Sequence, residues 1–162
     1  MSDDITRTLE QVFRAIADGV GREAEVTVVT VDDGSTQVTL TGEDLDVLIG
    51  REGSVIDSLQ YLGHQIALRR GAEGATGRVT VDVDGYRERR QKQLEKLAEH
   101  AANEAVTYGE EIELDAMTPH DRRIVHMALA ERTDVVTRSE GQEPRRRIVV
   151  EPAAEGGSGD GD

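Results

Sequence analysis

The string Val47-Leu48-Ile49-Gly50-Arg51-Glu52-Gly53-Ser54-Val55-Ile56 constrains the fold more than any other stretch of the chain. Leu45, Leu48 and Ile49 lead into it at helical spacing, and Val55, Ile56, Leu59, Leu62, Ile66 and Ala67 resume that spacing beyond it. Two glycines three apart therefore divide an apolar stripe into a helical turn, a break and a longer helix. The glycine spacing alone says little. With 17 glycines in 162 positions, chance supplies roughly two GxxG pairs, and four occur, at 50/53, 71/74, 74/77 and 156/159. Only the first lies between two helical stripes. In that setting the glycines let a polynucleotide backbone approach, while the amides and positive dipole end of the following helix face its phosphates. Arg51 adds a charge-assisted contact. Without the flanks, two glycines would simply turn the chain.

The other elements follow from periodicity. Ile5, Leu9, Val12, Phe13, Ile16, Ala17 and Val20 place an amphipathic helix over residues 3–20, with Asp3 or Asp4 near its N-cap and Gly19 and Gly21 at its end. Val26 and Val28, then Val38 and Leu40, alternate with polar residues around Asp33-Gly34, which reads as a β-hairpin. After a flexible Gly71 to Gly77 stretch, Val79, Val81 and Val83 form one face of a strand and Thr80, Asp82 and Asp84 the other. A charged stretch from Tyr86 to about Val106, seamed by Leu94, Leu97, Ala98, Ala101, Ala102 and Ala105, makes a long helix. Ile112 and Leu114 suggest a short strand. Thr118-Pro119-His120-Asp121 then supplies an N-cap, a first-turn proline and a capping carboxylate for a helix reaching about Glu131. Val135 to Arg138 and Arg146 to Val150 complete two strands around Gly141 and Pro144. The fold class is α+β: an α-β-β-α-α-β unit over residues 1–84, an α-β-α-β-β unit over 85–150, and a disordered acidic tail over 151–162.

The charge balance bears on partners. With 33 acidic against 19 basic side chains the net charge is −14, which opposes nucleic-acid binding if spread evenly. The basic residues are clustered, however. Arg87, Arg89, Arg90 and Lys92 form one group, and Arg122, Arg123, Arg132, Arg138, Arg145, Arg146 and Arg147 another. Because salt screens charges beyond about 8 Å, such a cluster attracts phosphate even on an acidic molecule, unless ion pairing within the surface consumes it. No cysteine is present, which excludes disulfides, thiolate metal sites and a cysteine nucleophile. An acidic N-terminus and the lack of a long apolar run give a cytoplasmic expectation, with no membrane span and no cofactor. Four aromatic residues, Phe13, Tyr61, Tyr86 and Tyr108, are too few for base-stacking platforms. Binding would then rest on backbone contacts and an aliphatic groove.

Arg122 and His126, four apart, project from one helix face beside its N-terminus and make a plausible phosphate site. A helix-surface histidine bonded to a neighbour is the plainer account of His126.

VLIGREGSVIDSLQYL resembles the signature of a KH domain, and the element order resembles its type II form. The resemblance implies that Gly50, Arg51, Glu52 and Gly53 clamp single-stranded RNA, with Ser54 as a further RNA-binding candidate and Ile49, Val55 and Ile56 beneath or lining an apolar groove. Glu52 departs from the basic or neutral residue that suits phosphate there, which implies weak affinity. TPHDRRIVHMALAE with VVTRSEGQEPRRRIVV resembles the R-three-H domain. That implies Arg122 and His126 as the binding pair, with Ser139, Gly141 and the arginines Arg145, Arg146 and Arg147 in its closing hairpin. In this order the two modules resemble the bacterial Jag family (KhpB, EloR) over roughly residues 3–150.

The family implies a non-enzymatic regulator of single-stranded RNA, linked to cell elongation or division, often partnered by a small KH-only protein, with a homodimer left open. Many members begin with a further N-terminal domain and basic linker that this sequence does not show, which puts regulation or localisation through that segment in doubt but not the two modules. Two other functions remain open. One is an acidic protein-interaction adaptor that pairs through its KH-like unit with another KH protein. The other, a metal-dependent nuclease using Asp82 and Asp84, is remote because no ligand cluster accompanies them.

Overall fold

The chain is described by a computed structural model over residues 2–72 and 77–154. Most of the glycine stretch after Gly71 and the acidic tail beyond residue 154 lie outside the described residues. The chain separates into two compact units, Met1–Glu88 and Arg89–Asp162.

In the first unit, α1 (Ser2–Gly19) is followed by the hairpin β1 (Glu25–Thr30) and β2 (Thr36–Thr41). Next come the one-turn α2 (Asp46–Ile49), a 3₁₀ turn (Arg51–Gly53), α3 (Ser54–Arg69) and β3 (Val79–Val83). The sheet order is β1-β2-β3, with β1 antiparallel to β2 and β2 parallel to β3. The β1–β2 loop is longer than a two-residue turn. Val31 N–H donates to Ser35 and Gly34 N–H to Val31, and only Gly34 of the Asp33-Gly34 pair takes a positive φ. Alternation along the strands aims Val26, Val38, Leu40, Val79, Val81 and Val83 at Leu9, Phe13, Leu48, Ile56 and Leu59, forming one core. Leu62, expected in the stripe, is exposed, while Gly63 is buried. A Cβ at Gly63 would stand 2.9 Å from Val79 and 3.4 Å from Phe13, so the helix packs there through the absence of a side chain. Asp84 falls just past β3, in a turn at φ 51°. Its carboxylate accepts from Gly42 N–H, and that of Asp82 accepts from Arg87 N–H. Both thus serve backbone donors; neither lies in an open acidic strand face.

The second unit contains most of α4 (Tyr86–Tyr108), then β4 (Ile112–Glu113), α5 (Pro119–Ala128), β5 (Val135–Glu140) and β6 (Arg147–Pro152). Its sheet runs β4-β6-β5, antiparallel throughout. Leu94, Ala98, Ala101, Ala102 and Ala105 of α4 join Val125, Leu129, Val135, Ile148 and Val150 in the core, with Leu97 left exposed. α5 closes at Ala128, earlier than the sequence suggests. Leu129 turns inward to the core and leaves helical geometry there. Glu151 and Pro152, expected in the tail, extend β6 because Val135 and Val136 pair with them. Thr118 caps α5 by accepting from Asp121 N–H. Asp121 does not return the cap; its buried carboxylate binds the Arg90 guanidinium at 3.0 and 2.7 Å.

Candidate nucleic-acid interface

At the glycine turn, the conformation is demanded by the chain itself. Gly50 has φ 73° and ψ 178°, Glu52 φ 54° and ψ 28°, and Gly53 φ 80° and ψ 13°. A Cβ at Gly50 would lie 2.5 Å from Val55 Cγ2 and 2.9 Å from Val55 N, and one at Gly53 would lie 2.8 Å from the Tyr86 ring. Glycine is therefore required here for internal packing, whatever approaches from outside. Gly53 is buried, Gly50 and Glu52 are half-buried, and Arg51 and Ser54 are exposed. Gly53 occupies the N-cap of α3 and has no side chain with which to cap it, so the first amides of α3 receive no side-chain acceptor from that position. Ile49 and Ile56 belong to the core beneath the turn, and Val55 packs partly against it. Arg51 has no ion pair among the described residues, whereas Arg87 is held by Val81 O, Gln60 and Asp57. The first arginine cluster is thus partly spent on the fold.

In the second unit a depression of about 330 Å³ is lined by Pro119, Arg122, Arg123, His126, Met127, Ser139 and Arg146. The helical i, i+4 spacing brings Arg122 and His126 together, and the pleat of β5 adds Thr137 and Ser139 on the same side. His126 Nδ1 lies 2.7 Å from Thr137 Oγ1, and its Nε2 3.5 Å from Ser139 Oγ. Burial, helped by the Arg122 charge, holds His126 below the ordinary imidazole pKa. At neutral pH it is therefore an uncharged hydrogen-bonding group. Arg122 does not open to solvent. Its Nη1–H donates to Met117 O at 2.7 Å and its Nη2–H to Glu143, leaving the side chain 9% exposed.

The remaining arginines divide by whether a carboxylate holds them. Arg147 pairs with Glu113 and Glu140, and Arg138 with Glu111, Glu140 and Glu151. These groups surround Val149, which is flanked in register by Glu113 and Arg138 and fully buried. Arg132 is held by Glu99, Asn103 and Asp134. Arg146, one residue before Arg147 and just outside β6, lines the depression. Arg123, Arg145 and Arg146 are exposed and have no side-chain ion pair among the described residues. The sequence pattern does not single out Arg123 as a site residue, although its i+1 position beside Arg122 on α5 could have raised it. Glu143 and Thr137, which fix the pair, carry no local signal at all.

The R-three-H domain family model matches residues 92–152. A Clostridium symbiosum protein named RNA-binding protein KhpB is 36% identical over 150 residues, covering 93% of this chain and 65% of the relative. The KhpB of Lactiplantibacillus plantarum is 37% identical over 147 residues, covering 87% of this chain and 45% of the relative. That of Bacillus subtilis is 30% identical over 140 residues, covering 85% and 66%. The chain belongs to the KhpB (Jag) family. It spans about half to two thirds of the length of these relatives. Within the KhpB frame, the R-three-H match contains α5, β5 and β6, and hence every residue of the depression just described. Among the described residues no helix is long and apolar enough to cross a membrane, and no group of three or more His, Asp or Glu is placed to hold a metal ion.

Proposed function

We propose that the chain is a cytoplasmic regulator that binds single-stranded RNA at two places. One is a KH-type turn formed by Gly50, Arg51, Glu52, Gly53 and Ser54 over Ile49, Val55 and Ile56. The other is the R-three-H depression around Arg122 and His126, with Arg123, Arg145 and Arg146 as the exposed cations. Arg147, tied to Glu113 and Glu140, contributes to the sheet surface and not to phosphate contact. The observation that carries this reading is the sorting of charge: most arginines of the unit are neutralised by carboxylates, while Arg123 and Arg146 stay unpaired at one depression. Local unpaired cations attract phosphate within a Debye length even though the net charge is −14. The names of the relatives point to the same ligand. A role in cell elongation or division belongs to this reading through the family.

The test is binding of a labelled oligouridylate against salt. Arg123→Ala with Arg146→Ala is expected to weaken binding and to lower the salt slope by about 1.4, at about 0.7 per single-strand phosphate contact. Parent affinity and slope in that variant would refute the second site. Glu52→Lys removes a like charge at the glycine turn and is expected to tighten binding. A second reading, pairing of the first unit with another KH protein or with a second copy, is favoured by Tyr61, Leu62 and Leu68, which leave apolar surface on α3 in solvent. A protein partner retained after nuclease treatment, with no RNA crosslinked, would favour it.

A further inference from the structure

Arg122 carries the charge that its spacing with His126 brings to notice, yet it is the least accessible arginine of the depression. Its guanidinium fork is occupied on one side by Met117 O and on the other by Glu143. To touch a phosphate it would have to abandon a buried backbone carbonyl and a carboxylate that its own hydrogen bond holds below the usual carboxylate range. Arg146 needs no such exchange: it is exposed and makes no ion pair among the described residues, although its charge also helps to lower the Glu143 carboxyl.

The two arginines are connected through the backbone. Arg122 grips Met117 O, and Met117 N–H donates to Arg146 O at 3.2 Å. Arg122 also grips Glu143, three residues before Arg146 in the β5–β6 loop. One buried side chain thus ties the approach to α5 and the approach to β6 together, and the residue it places between them is Arg146. Resting on the RNA-binding reading above, we infer that Arg122 is a positioning residue: with Glu143 it sets where Arg146 meets phosphate and makes no phosphate contact itself.

The alternative is that Glu143 stands in for phosphate and is displaced by RNA, which frees Arg122. The two accounts predict opposite signs for one charge-conserving substitution. Glu143→Asp keeps the carboxylate but shortens its reach by one methylene, and Glu143 is 51% exposed, so the fold tolerates the change. If Arg122 positions Arg146, Glu143→Asp weakens binding of a labelled oligouridylate of about 12 nucleotides, roughly three- to tenfold, and lowers the salt slope by up to about 0.7 although no cation has been removed. Glu143→Gln, which keeps reach and loses charge, does not weaken binding. In an Arg146→Ala background Glu143→Asp adds no further loss, a non-additivity that general destabilisation would not produce.

Thermal melts confirm that each variant is folded at the assay temperature. Binding by Glu143→Asp as tight as the parent or tighter, or a full additional loss on top of Arg146→Ala, overturns the positioning role while leaving RNA binding intact. A parent protein that does not bind the oligouridylate at low salt overturns the RNA-binding reading and this inference with it.

Discussion

In the first unit the surface offered to a ligand is shaped by the backbone. Gly50 and Gly53 adopt positive φ, and their missing side chains admit the neighbouring Val55 and the sequence-distant ring of Tyr86. In the second unit the corresponding surface is shaped by side chains that find partners far away in sequence. Arg122 meets Glu143 21 residues on, and Asp121 meets Arg90 31 residues back. A backbone-built site resists substitution at a few positions, and its shape does not depend on charge. A site built from ion pairs is sensitive to charge and reach, and its exposed cations are those the pairing leaves over.

The largest expected effect breaks the first half of that contrast. Gly50→Ala must hold φ near 73° with ψ near 178° and place a methyl 2.5 Å from Val55 Cγ2. Destabilisation of about 3 kcal/mol or more is expected, read from the urea midpoint. A loss under about 1 kcal/mol would mean that the turn relaxes at little cost and that the backbone does not dictate it. For the same reason, aspartates at Gly50 and Gly53 test folding before they test binding. Arg51→Ala and Glu52→Lys probe the ligand face without that confusion.

Next in size is the pair that holds the start of α5. Asp121 is buried, with Arg90 partly exposed beside it. Asp121→Ala removes the buried carboxylate that holds the Arg90 guanidinium and is expected to cost about 2–3 kcal/mol, below the figure for a fully buried pair because solvent reaches Arg90. Replacing both residues by apolar ones of similar size should recover part of the loss; no recovery would show that the pair is not acting as a unit. Thr118→Ala removes the hydroxyl that accepts from Asp121 N–H, together with the γ-methyl. It should cost about 1 kcal/mol, and a melt that does not move would assign the cap to solvent.

How far the residues announced all this follows the same division. The hairpin, the broken stripe and the Thr118 cap were legible because each depends on periodicity or on a few adjacent residues. Leu62 and Gly63 exchanged roles because helix phase alone does not reveal that Phe13 and Val79 come too close for a side chain. Arg122 and His126 could be paired from helical spacing. That Arg122 would be spent on Glu143, that Arg147 would turn to the back of the sheet while Arg146 faced the depression, and that Asp121 would leave its cap for Arg90 all depend on tertiary partners. Arg146 lies one residue before β6, outside its paired register with β5, so strand alternation alone does not separate it from Arg147.

The smallest expected effect is a pH dependence, and its sign separates two roles for His126. Burial and Arg122 lower the folded-state pKa, so the unfolded chain takes up a proton more readily. The stability that neutral His126 contributes is full above the ordinary imidazole value of 6.5, declines as pH falls below it, and stops declining below the folded pKa. Glu143, lowered from 4.5, begins its own loss only further down. Urea midpoints between pH 7.5 and about 5.5 therefore avoid the carboxylates, and the difference between parent and His126→Gln isolates this imidazole. The parent should weaken with acid across that window, and His126→Gln should be flatter. RNA affinity over the same window reports something else. A phosphate held against Nε2 favours the charged ring and would make binding tighten with acid while stability falls. Affinity that falls together with stability would instead mean that His126 supports the depression through Thr137 and never meets the ligand.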